Sequence, residues 1–314
     1  MEEKLDLEIL SEIGRFTTAL RRKVRIKCEA FEYTAMSQII EEVEGEIFNA
    51  GYLPAFPCAI SVNNVAAHNT FFDEDYTFEE GDVIKVDFGA SSNGFCTDCA
   101  FTFEYKTSKY HDLLKANEKA LDEQIETVDI GVLVSELGNI AETNAKDKGF
   151  GTIHELSGHQ IGKNTLHCGT SVPNYDNGSS KGVTDNMELA IEPYFTMGGP
   201  QIKESFDSNI LHLRTPKNTR DILGRKILKH VREYYPHLPF SKRWLVTELM
   251  AKTSEKVDAP FSKSELLRGL KVLIREGIIY EYPALVSADG SINSQFEDTV
   301  VFVDGKKVVI TRLE

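Results

Sequence analysis

Hydrophobic residues recur every three or four positions in two segments near the start of the 314-residue chain. Ile13 belongs to the first of these patterns and Val43 to the second. This spacing places apolar side chains on one face of a helix. It predicts two N-terminal helices, over residues 3–28 and 31–50.

The chain that follows alternates short β-rich pieces with further helical patterns. Runs rich in β-branched and aromatic residues predict strands over 59–65, 83–89, 95–105, 152–158 and 189–198. Helical spacing predicts helices over 109–127 and 131–147. Near the end of the chain, the turn signal Asp304-Gly305 predicts a hairpin that joins residues 296–302 to 307–312.

Residues 207–281 differ from the rest in pattern and in charge. Helical patterns over 219–235, 241–253 and 262–276 lead into a β-like stretch at 278–282. Three helices and a small strand predict a compact, winged-helix-like helical subdomain. Residues 213–276 contain 15 Lys and Arg against 7 Asp and Glu, a charge of +8, whereas the whole chain carries −14. The pattern therefore predicts a basic module at 207–281, inserted into a body formed by 1–206 and 282–314.

Composition narrows the class of protein. Hydrophobic residues make up 41% of the chain and charged residues 27%, which is typical of globular proteins and argues against a disordered chain. No apolar run approaches the ~20 residues that cross a bilayer, and the acidic start lacks the order of a signal peptide. The five cysteines are sparse and odd in number, which argues against a disulfide framework. We therefore expect a cytoplasmic protein without a membrane partner, whose acidity disfavours non-specific nucleic-acid binding.

Two aspartates, Asp87 and Asp98, flank a Ser-Ser-Asn-Gly turn between two strand-like runs. If the turn is centred between Ser92 and Asn93, the aspartates lie directly opposite each other, with Cβ atoms roughly 5 Å apart. If Asn93-Gly94 forms the turn, they become diagonal neighbours on the same face. Facing carboxylates destabilise a sheet unless a cation lies between them, so the pair indicates either a solvated hairpin or a metal site. Apolar neighbours favour the metal site.

Three polar residues downstream also lie in short apolar or β-like stretches: His159, Glu192 and Glu297. Each one alone is typical of a strand end or of solvated surface. Together with Asp87 and Asp98 they supply four carboxylates and one imidazole. Such a set can hold two divalent ions, and it favours Mn²⁺, Fe²⁺, Co²⁺ or Zn²⁺ over a thiolate site.

Two further histidines, His68 and His167, lie near apolar residues. A histidine in that setting is usually structural, so the surroundings alone assign neither a role. Cys96 and Cys99 have CxxC spacing, but no second pair accompanies them and Asp98 lies inside the motif. This argues against a zinc ribbon or a redox centre.

Taken together, these motifs resemble those of the type II methionine aminopeptidases, in the short form found in archaea. The resemblance covers essentially the whole chain and depends on the set of motifs rather than on any one of them. The matching segments are 56–68, Asp87 with Asp98, 157–159, Leu166-His167, 190–193 and 295–299. The sequence departs from the family at Phe71, Asn93 and Cys99, and none of these is an expected ligand.

The resemblance implies an α+β pita-bread fold, with two α/β halves related by pseudo-twofold symmetry around a curved antiparallel sheet. The basic segment matches the insertion that type II enzymes carry between their last two metal-binding glutamates. The resemblance also implies two divalent metal ions. Asp87 would bind one ion, His159 and Glu192 the other, and Asp98 and Glu297 would bridge them.

The implied activity is removal of the N-terminal initiator methionine from nascent proteins, with a preference for a small second residue. Glu192 would move the proton, and His68 and His167 would act as catalytic histidines that contact the substrate. An apolar pocket for the methionine side chain would be lined by Phe56, Pro57 and Ile60. We expect a monomer that acts on the N-terminal Met of nascent polypeptides and binds no specific DNA. Its basic segment either docks weakly on the ribosome or only shapes the substrate pocket.

Three other interpretations stay open. An X-Pro aminopeptidase or dipeptidase shares the fold and the five ligands, but normally carries a separate N-terminal domain and lacks the insertion. A non-catalytic relative that binds RNA and protein is marked by lost metal ligands, whereas all five are present here. The basic segment is also compatible with a DNA-binding module, although it would interrupt a single catalytic domain.

Overall fold

The computed structural model describes residues 4–250 and 261–314. Its helices are α1 (Leu7–Glu29), α2 (Met36–Asn49), α3 (His111–Thr127), α4 (Val134–Asp147), α5 (Ile222–Tyr234), α6 (Lys242–Met250) and α7 (Lys263–Arg275). All seven helices predicted from the sequence are confirmed, with shifted ends. Residue 3 of the first predicted helix and residues 251–253 of the sixth lie outside the described residues. None of the helices described is both long and apolar enough to cross a membrane.

All strand pairings among the described residues are antiparallel. The first part of the chain forms β1 (Leu53–Pro54), β2 (Ala59–Val62), β3 (Val65–Ala67), β4 (Val83–Phe88), β5 (Ala90–Ser92), β6 (Phe95–Cys96) and β7 (Cys99–Glu104). The second part forms β8 (Gly151–Thr152), β9 (Ser157–Gly162), β10 (Thr165–Pro173), β11 (Met187–Ile191), β12 (Tyr194–Thr196) and β13 (Ile202–Leu213). The remaining strands are β14 (Phe240–Ser241), β15 (Ile279–Ser287), β16 (Asn293–Gln295), β17 (Asp298–Val303) and β18 (Lys306–Val309).

Helix α1 shows how the sequence pattern becomes a packed element. Asp6 caps its start, because the side chain accepts hydrogen bonds from the backbone N–H groups of Glu8 and Ile9. Its buried face packs against the C-terminal end of the chain, where the backbone approaches closely. A Cβ at Gly14 would lie 2.3 Å from the carbonyl oxygen of Ile310, so this contact requires glycine.

The body consists of two α/β halves, each with a helix pair followed by an antiparallel sheet. Helices α1 and α2 precede the sheet β2-β4-β7, and α3 and α4 precede the sheet β10-β9-β11-β17-β18. The two sheets meet where the backbones of Ala100 and Glu297 form a β-bridge, with the Glu297 N–H 3.0 Å from the Ala100 carbonyl oxygen. One apolar core extends through both halves. The α+β class predicted from the sequence is confirmed.

Four predicted strands are interrupted in the structure, the runs 59–65, 95–105, 152–158 and 189–198, and two of these breaks fall at a candidate ligand. The run 95–105 forms β6 and β7 with a break at Asp98, and the run 189–198 forms β11 and β12 with a break at Glu192. Pro193 follows Glu192 and lacks the N–H that a central strand must donate. Both carboxylates therefore lie at the ends of strands instead of within them.

The segment between β13 and β15 has a core of its own. Apolar side chains of α5, α6 and α7 form a second buried cluster. The long strands β13 and β15 pair from Ile202 and Ser287 to Leu213 and Ile279, so one ladder runs from the body into this segment. The predicted boundaries at 206/207 and 281/282 fall inside these paired strands. We refer to the region from β13 to β15 as the insertion.

One charged side chain lies wholly inside the body. Lys85 in β4 is fully buried, and its Nζ donates hydrogen bonds to the carbonyl oxygens of Asn63 (3.0 Å) and Asn293 (3.1 Å). Burial lowers the pKa of Lys85 to about 7, because removal from water penalises the charged form. The ammonium group joins the loop after β2 to strand β16.

Candidate active site

A hairpin with a fixed register brings the first two carboxylates together. Asp87 pairs with Ala100, and the turn is formed by Asn93 and Gly94. Both turn residues have positive φ, 52° and 85°, as a type I′ turn requires. Asp98 is therefore a diagonal neighbour of Asp87 on the same face. The directly opposite arrangement, the other sequence-based alternative, is wrong.

The other three candidate ligands come from the sheet of the second half. His159 in β9 lies opposite Ala190 in β11, and Glu192 follows the last residue of β11. Glu297 immediately precedes β17, and its backbone pairs with Ala100 of the first half. The two halves therefore direct these side chains into the same space.

A cavity of about 330 Å³ is lined by residues of both halves. The lining includes every candidate ligand and both further histidines, Asp87, Asp98, His159, Glu192, Glu297, His68 and His167. Phe56 of the predicted methionine pocket lines it too. Pro57 and Ile60 are buried outside this lining, and Ile60 belongs to the main apolar core.

Three of the ligands form a tight cluster. Suitable ligand atoms of Asp98, His159 and Glu297 all lie within 4.8 Å of one another. The Nε2 atom of His159 is 3.5 Å from Asp98 Oδ2 and 3.6 Å from Glu192 Oε1. These distances exceed those of direct hydrogen bonds. His159 therefore faces both carboxylates without a direct hydrogen bond to either.

Two residues that the sequence analysis did not assign hydrogen-bond the carboxylates of the cavity. Gln295 Nε2 donates to Asp87 Oδ2 (3.2 Å) and to Glu192 Oε2 (3.1 Å), and thus joins the two ligands outside the cluster. The side chain of Tyr194 also hydrogen-bonds Glu192. A signal for both existed, because Gln295 lies two residues before Glu297 and Tyr194 two residues after Glu192. Residues two apart in an extended chain share a face.

His68 has an unusual backbone conformation at the cavity wall. Its φ is 58°, in the left-handed region that residues other than glycine rarely adopt. Its ring makes an edge-on contact with Tyr282 in β15, with ring centroids 5.2 Å apart, and Tyr282 also lines the cavity. No local pattern could have indicated Tyr282, because it is far from His68 along the chain.

Burial controls the electrostatics of the carboxylates. Desolvation raises the pKa of Asp98 to about 8. It also raises the pKa of Asp87, Glu192 and Glu297 well above their usual values, and the charge of Asp98 adds to the effect in each case. Removal from water and mutual repulsion both disfavour the ionised forms. A nearby positive charge would favour the ionised form of all four groups.

Burial has the opposite effect on the imidazoles. It lowers the pKa of His159 to about 4. Burial and the neighbouring His167 together lower the pKa of His68 to about 4. The rings of His159 and His167 lie 4.1 Å apart. His68 and His159 are therefore neutral at pH 7, which is the form of imidazole that binds a metal.

The residues present fit a divalent cation. Asp87 Oδ1, Asp98 Oδ1 and both carboxylate oxygens of Glu297 are buried, with no hydrogen-bond partner in the part of the chain that the structure describes. Buried polar atoms left in this way are costly unless a ligand or ion satisfies them. Carboxylate oxygens and a neutral imidazole are donors that divalent first-row metals accept. The cavity therefore has the donor set of a divalent-metal site.

Comparison with known proteins agrees with this chemistry. The model of metallopeptidase family M24 matches residues 8–212, a range that includes Asp87, Asp98, His159 and Glu192. The chain belongs to metallopeptidase family M24.

Relatives define the branch of that family. The chain is 37% identical to the methionine aminopeptidase of Archaeoglobus fulgidus over 278 residues, which cover 88% of each chain. At this identity it stands among the methionine aminopeptidases.

The fold of this chain is also similar to the folds of solved structures. The methionine aminopeptidase from Thermotoga maritima has a TM-score of 0.66 at 17% identity, covering 99% of this chain and 100% of that chain. The prolidase from Pyrococcus furiosus has a TM-score of 0.58 at 16% identity, covering 100% of this chain and 66% of that chain. The expected pita-bread fold is confirmed.

We expect Asp98→Asn and Glu297→Gln to lower the amount of bound metal, because each removes a negative charge from the cluster that neutralises the cation. Dialysis against Mn²⁺ or Co²⁺ followed by elemental analysis measures the stoichiometry. Glu155→Gln is the control, since Glu155 lines the cavity but lies outside the cluster. Wild-type stoichiometry in both cluster variants would remove these residues from the metal site.

Proposed function

We propose that this cavity removes the N-terminal methionine from nascent proteins by two-metal-assisted hydrolysis and prefers a small second residue. The observation that carries the proposal is the buried cluster of Asp98, His159 and Glu297 in the lining of this cavity. The membership of the chain in the methionine aminopeptidases supplies the substrate class. A volume of about 330 Å³ admits the end of a peptide, which suits an exopeptidase.

We assign five residues to two divalent ions. Asp87 would bind one ion, His159 and Glu192 the other, and Asp98 and Glu297 both. The unsatisfied oxygens of Asp87, Asp98 and Glu297 support this assignment. When bound, such ions lower the pKa of water and polarise a peptide carbonyl. Mn²⁺, Fe²⁺, Co²⁺ and Zn²⁺ all suit these donors.

Glu192 moves the proton from the attacking water to the leaving amine. Its Oε2 accepts a hydrogen bond from Gln295 at 3.1 Å, so the orientation of the carboxylate is fixed. Burial, with a further contribution from Asp98, raises the pKa of Glu192. A raised pKa makes the carboxylate a stronger base, which suits a group that accepts a proton.

His68 and His167 donate hydrogen bonds to the substrate. Both line the cavity, and the low pKa of His68 keeps its imidazole neutral. A neutral imidazole offers an N–H without adding a positive charge beside the metal site. We place His68 beside the scissile amide and His167 at the oxygen on which negative charge develops.

The methionine side chain occupies the apolar part of the cavity. Phe56 shares that part with four other apolar lining residues, Leu166, Ile210, Pro239 and Tyr282. Ile210 lies in β13 and Pro239 immediately before β14, so the insertion supplies one wall of the pocket. Apolar and aromatic surfaces suit a flexible thioether.

An X-Pro peptidase is the nearest alternative, because the prolidase from Pyrococcus furiosus has the same fold. The 37% identity to a methionine aminopeptidase favours methionine removal over that alternative. A non-catalytic role is disfavoured because all five candidate ligands line one cavity.

Release of free methionine from a Met-Ala-Ser peptide, compared with cleavage of an Xaa-Pro peptide, tests the function. We expect methionine release by metal-loaded protein, its loss with a chelator and its recovery when Mn²⁺ or Co²⁺ is restored. Preferred cleavage of the Xaa-Pro peptide would support the alternative peptidase. If metal-loaded protein cleaves neither peptide, the non-catalytic interpretation is favoured.

His68→Ala and His167→Ala should lower kcat/KM for Met-Ala-Ser without lowering metal content, because neither residue is assigned to an ion. Loss of one donor to a developing charge costs roughly 10²–10³ in rate. Kinetics with elemental analysis of the same samples measures both effects. His154→Ala is the control, since His154 stacks on Tyr175 and does not line the cavity. Loss of metal from either variant would place that histidine in the metal site instead.

We also propose that the basic surface of residues 213–276 docks the enzyme weakly on the ribosome. The charge of +8 in this segment supports the proposal, as does the exposure of Arg225 and Lys229 in α5. Arg232, in the last turn of the same helix, is less exposed than these two residues. It is half-buried and donates hydrogen bonds to the Asn218 side chain and the Pro216 carbonyl oxygen. The alternative, an insertion that only shapes the substrate pocket, is supported by the insertion residues Ile210, Pro239 and Tyr282, which line the cavity.

Replacement of Arg225 and Lys229 by Glu should reduce co-sedimentation with ribosomes at low salt and leave Met-Ala-Ser cleavage unchanged. Wild-type binding should weaken as salt rises, because it depends on exposed charge. Lys115→Glu, at an exposed position on α3, is the matched control. If the wild-type protein does not co-sediment at low salt, docking is wrong and the pocket-shaping role is favoured.

A further inference from the structure

A buried carboxylate joins the insertion to the catalytic body. Glu44 in α2 is 3% exposed, and three donors surround it. Its Oε2 accepts hydrogen bonds from Arg243 Nη2 and Trp244 Nε1, both at 2.6 Å and both in α6. Its Oε1 accepts from the backbone N–H of Cys58 at 3.2 Å. A single side chain thus bonds to both parts of the protein.

On the body side, this junction holds the cavity wall. Cys58 lies between Phe56 and Ala59, both of which line the cavity. Ala59 is also the ladder partner of Asp87 in the pairing of β2 with β4. The hydrogen bond from Cys58 to Glu44 therefore fixes the backbone of a wall that faces the substrate.

Through Arg243, the junction also contacts the loop that carries His68. The guanidinium group of Arg243 lies over the ring of Phe71, 4.8 Å from its centroid. Phe71 follows His68 by three residues. The placement of α6 is thus coupled both to residues 56–59 and to the loop that carries His68.

Other contacts hold the insertion together without Glu44. Trp244 belongs to the separate core of the insertion and makes an edge-on contact with Phe48 of α2, with ring centroids 5.9 Å apart. Apolar contacts such as these hold α6 near the body but do not fix its exact position relative to residues 56–59. The hydrogen bonds of Glu44 are directional and therefore fix that position.

We propose that Glu44 is a positioning residue that sets the shape of the methionine pocket by coupling α6 to the wall formed by residues 56–59. This inference rests on the proposed function. A carboxylate has two oxygens and can serve donors from the insertion and from the body at the same time. The glutamine side chain has the same shape but only one oxygen. In Glu44→Gln, at least one of the three donors therefore faces the side-chain NH₂ group instead of an acceptor.

The chain contains one tryptophan, Trp244, and it is one of the three residues that donate to Glu44. Its fluorescence therefore reports on the junction directly. In wild-type protein loaded with Mn²⁺, titration with free L-methionine should shift the emission of Trp244. In Glu44→Gln the half-saturating methionine concentration should rise about tenfold, because a buried donor is left unsatisfied. KM for Met-Ala-Ser should rise by a similar factor, with kcat and metal content nearly unchanged.

Asp73→Asn is the matched control. It removes the ion pair between Asp73 and Lys263 of α7, which also links body and insertion, and neither residue lines the cavity. We expect wild-type methionine affinity in this variant. An equal loss of affinity in Asp73→Asn would show that any contact between the two parts has this effect, and would overturn the specific role of Glu44.

A Glu44→Gln protein with a wild-type circular dichroism spectrum and unchanged methionine affinity would also overturn the proposal. If Glu44→Gln does not fold, Arg243→Lys provides the test, because it keeps the charge but loses the planar donor group. Unchanged methionine affinity in that variant would be equally contradictory. If the wild-type protein neither binds nor releases methionine, the proposed function is contradicted instead. The junction can still be tested in that case, because Glu44→Gln should change the emission of Trp244 in the absence of any ligand.

Discussion

The burial of four carboxylates in one cavity is the constraint on which the rest of the structure depends. Away from water the ionised forms repel one another and lose their hydration, and the pKa of each of the four groups is raised. A divalent ion relieves this cost only if the oxygens converge from fixed directions. The scaffold must therefore hold groups from well-separated segments of the chain within a few ångströms.

Rigid backbone pairing meets this demand. The hairpin register sets the positions of Asp87 and Asp98, and the ladders of β9, β11 and β17 set those of the other three candidate ligands. Residues outside the cavity hold the backbone at Glu297 in place. Arg21 of α1 donates to the carbonyl oxygen of Glu297 (3.0 Å) and to the side chain of Asp298 (2.8 Å). The same Asp298 accepts a hydrogen bond from Arg312 at 2.7 Å, so the C-terminal end of the chain helps to immobilise a ligand.

The features that could be predicted from the sequence are those with local signals. Helices follow from apolar spacing, and the shared face of Asp87 and Asp98 requires only a count of residues across a turn. The lining of the cavity near Phe56 was only partly predicted, because Ala59 lines it whereas Pro57 and Ile60 do not, and Leu166, Ile210 and Tyr282 come from distant segments. Tyr282 reaches His68, and Glu44 reaches Arg243, through contacts between distant segments that no periodicity encodes. The ladder of β13 and β15 crosses both predicted domain boundaries for the same reason.

The ionisation of Lys85 changes folding stability with pH in the direction opposite to that of the buried carboxyl groups. Asp98 keeps its proton to about pH 8 in the folded state, against an ordinary value of 3.8. Between those values the folded state holds more protons, so this group lowers stability as pH rises. Lys85 titrates at about 7 instead of 10.5, so above pH 7 the unfolded state holds more protons and stability rises with pH. In the metal-free protein, the summed contribution of these two groups to stability is therefore lowest between pH 7 and 8, and a cation that favours the ionised form of Asp98 offsets the part due to that carboxyl group.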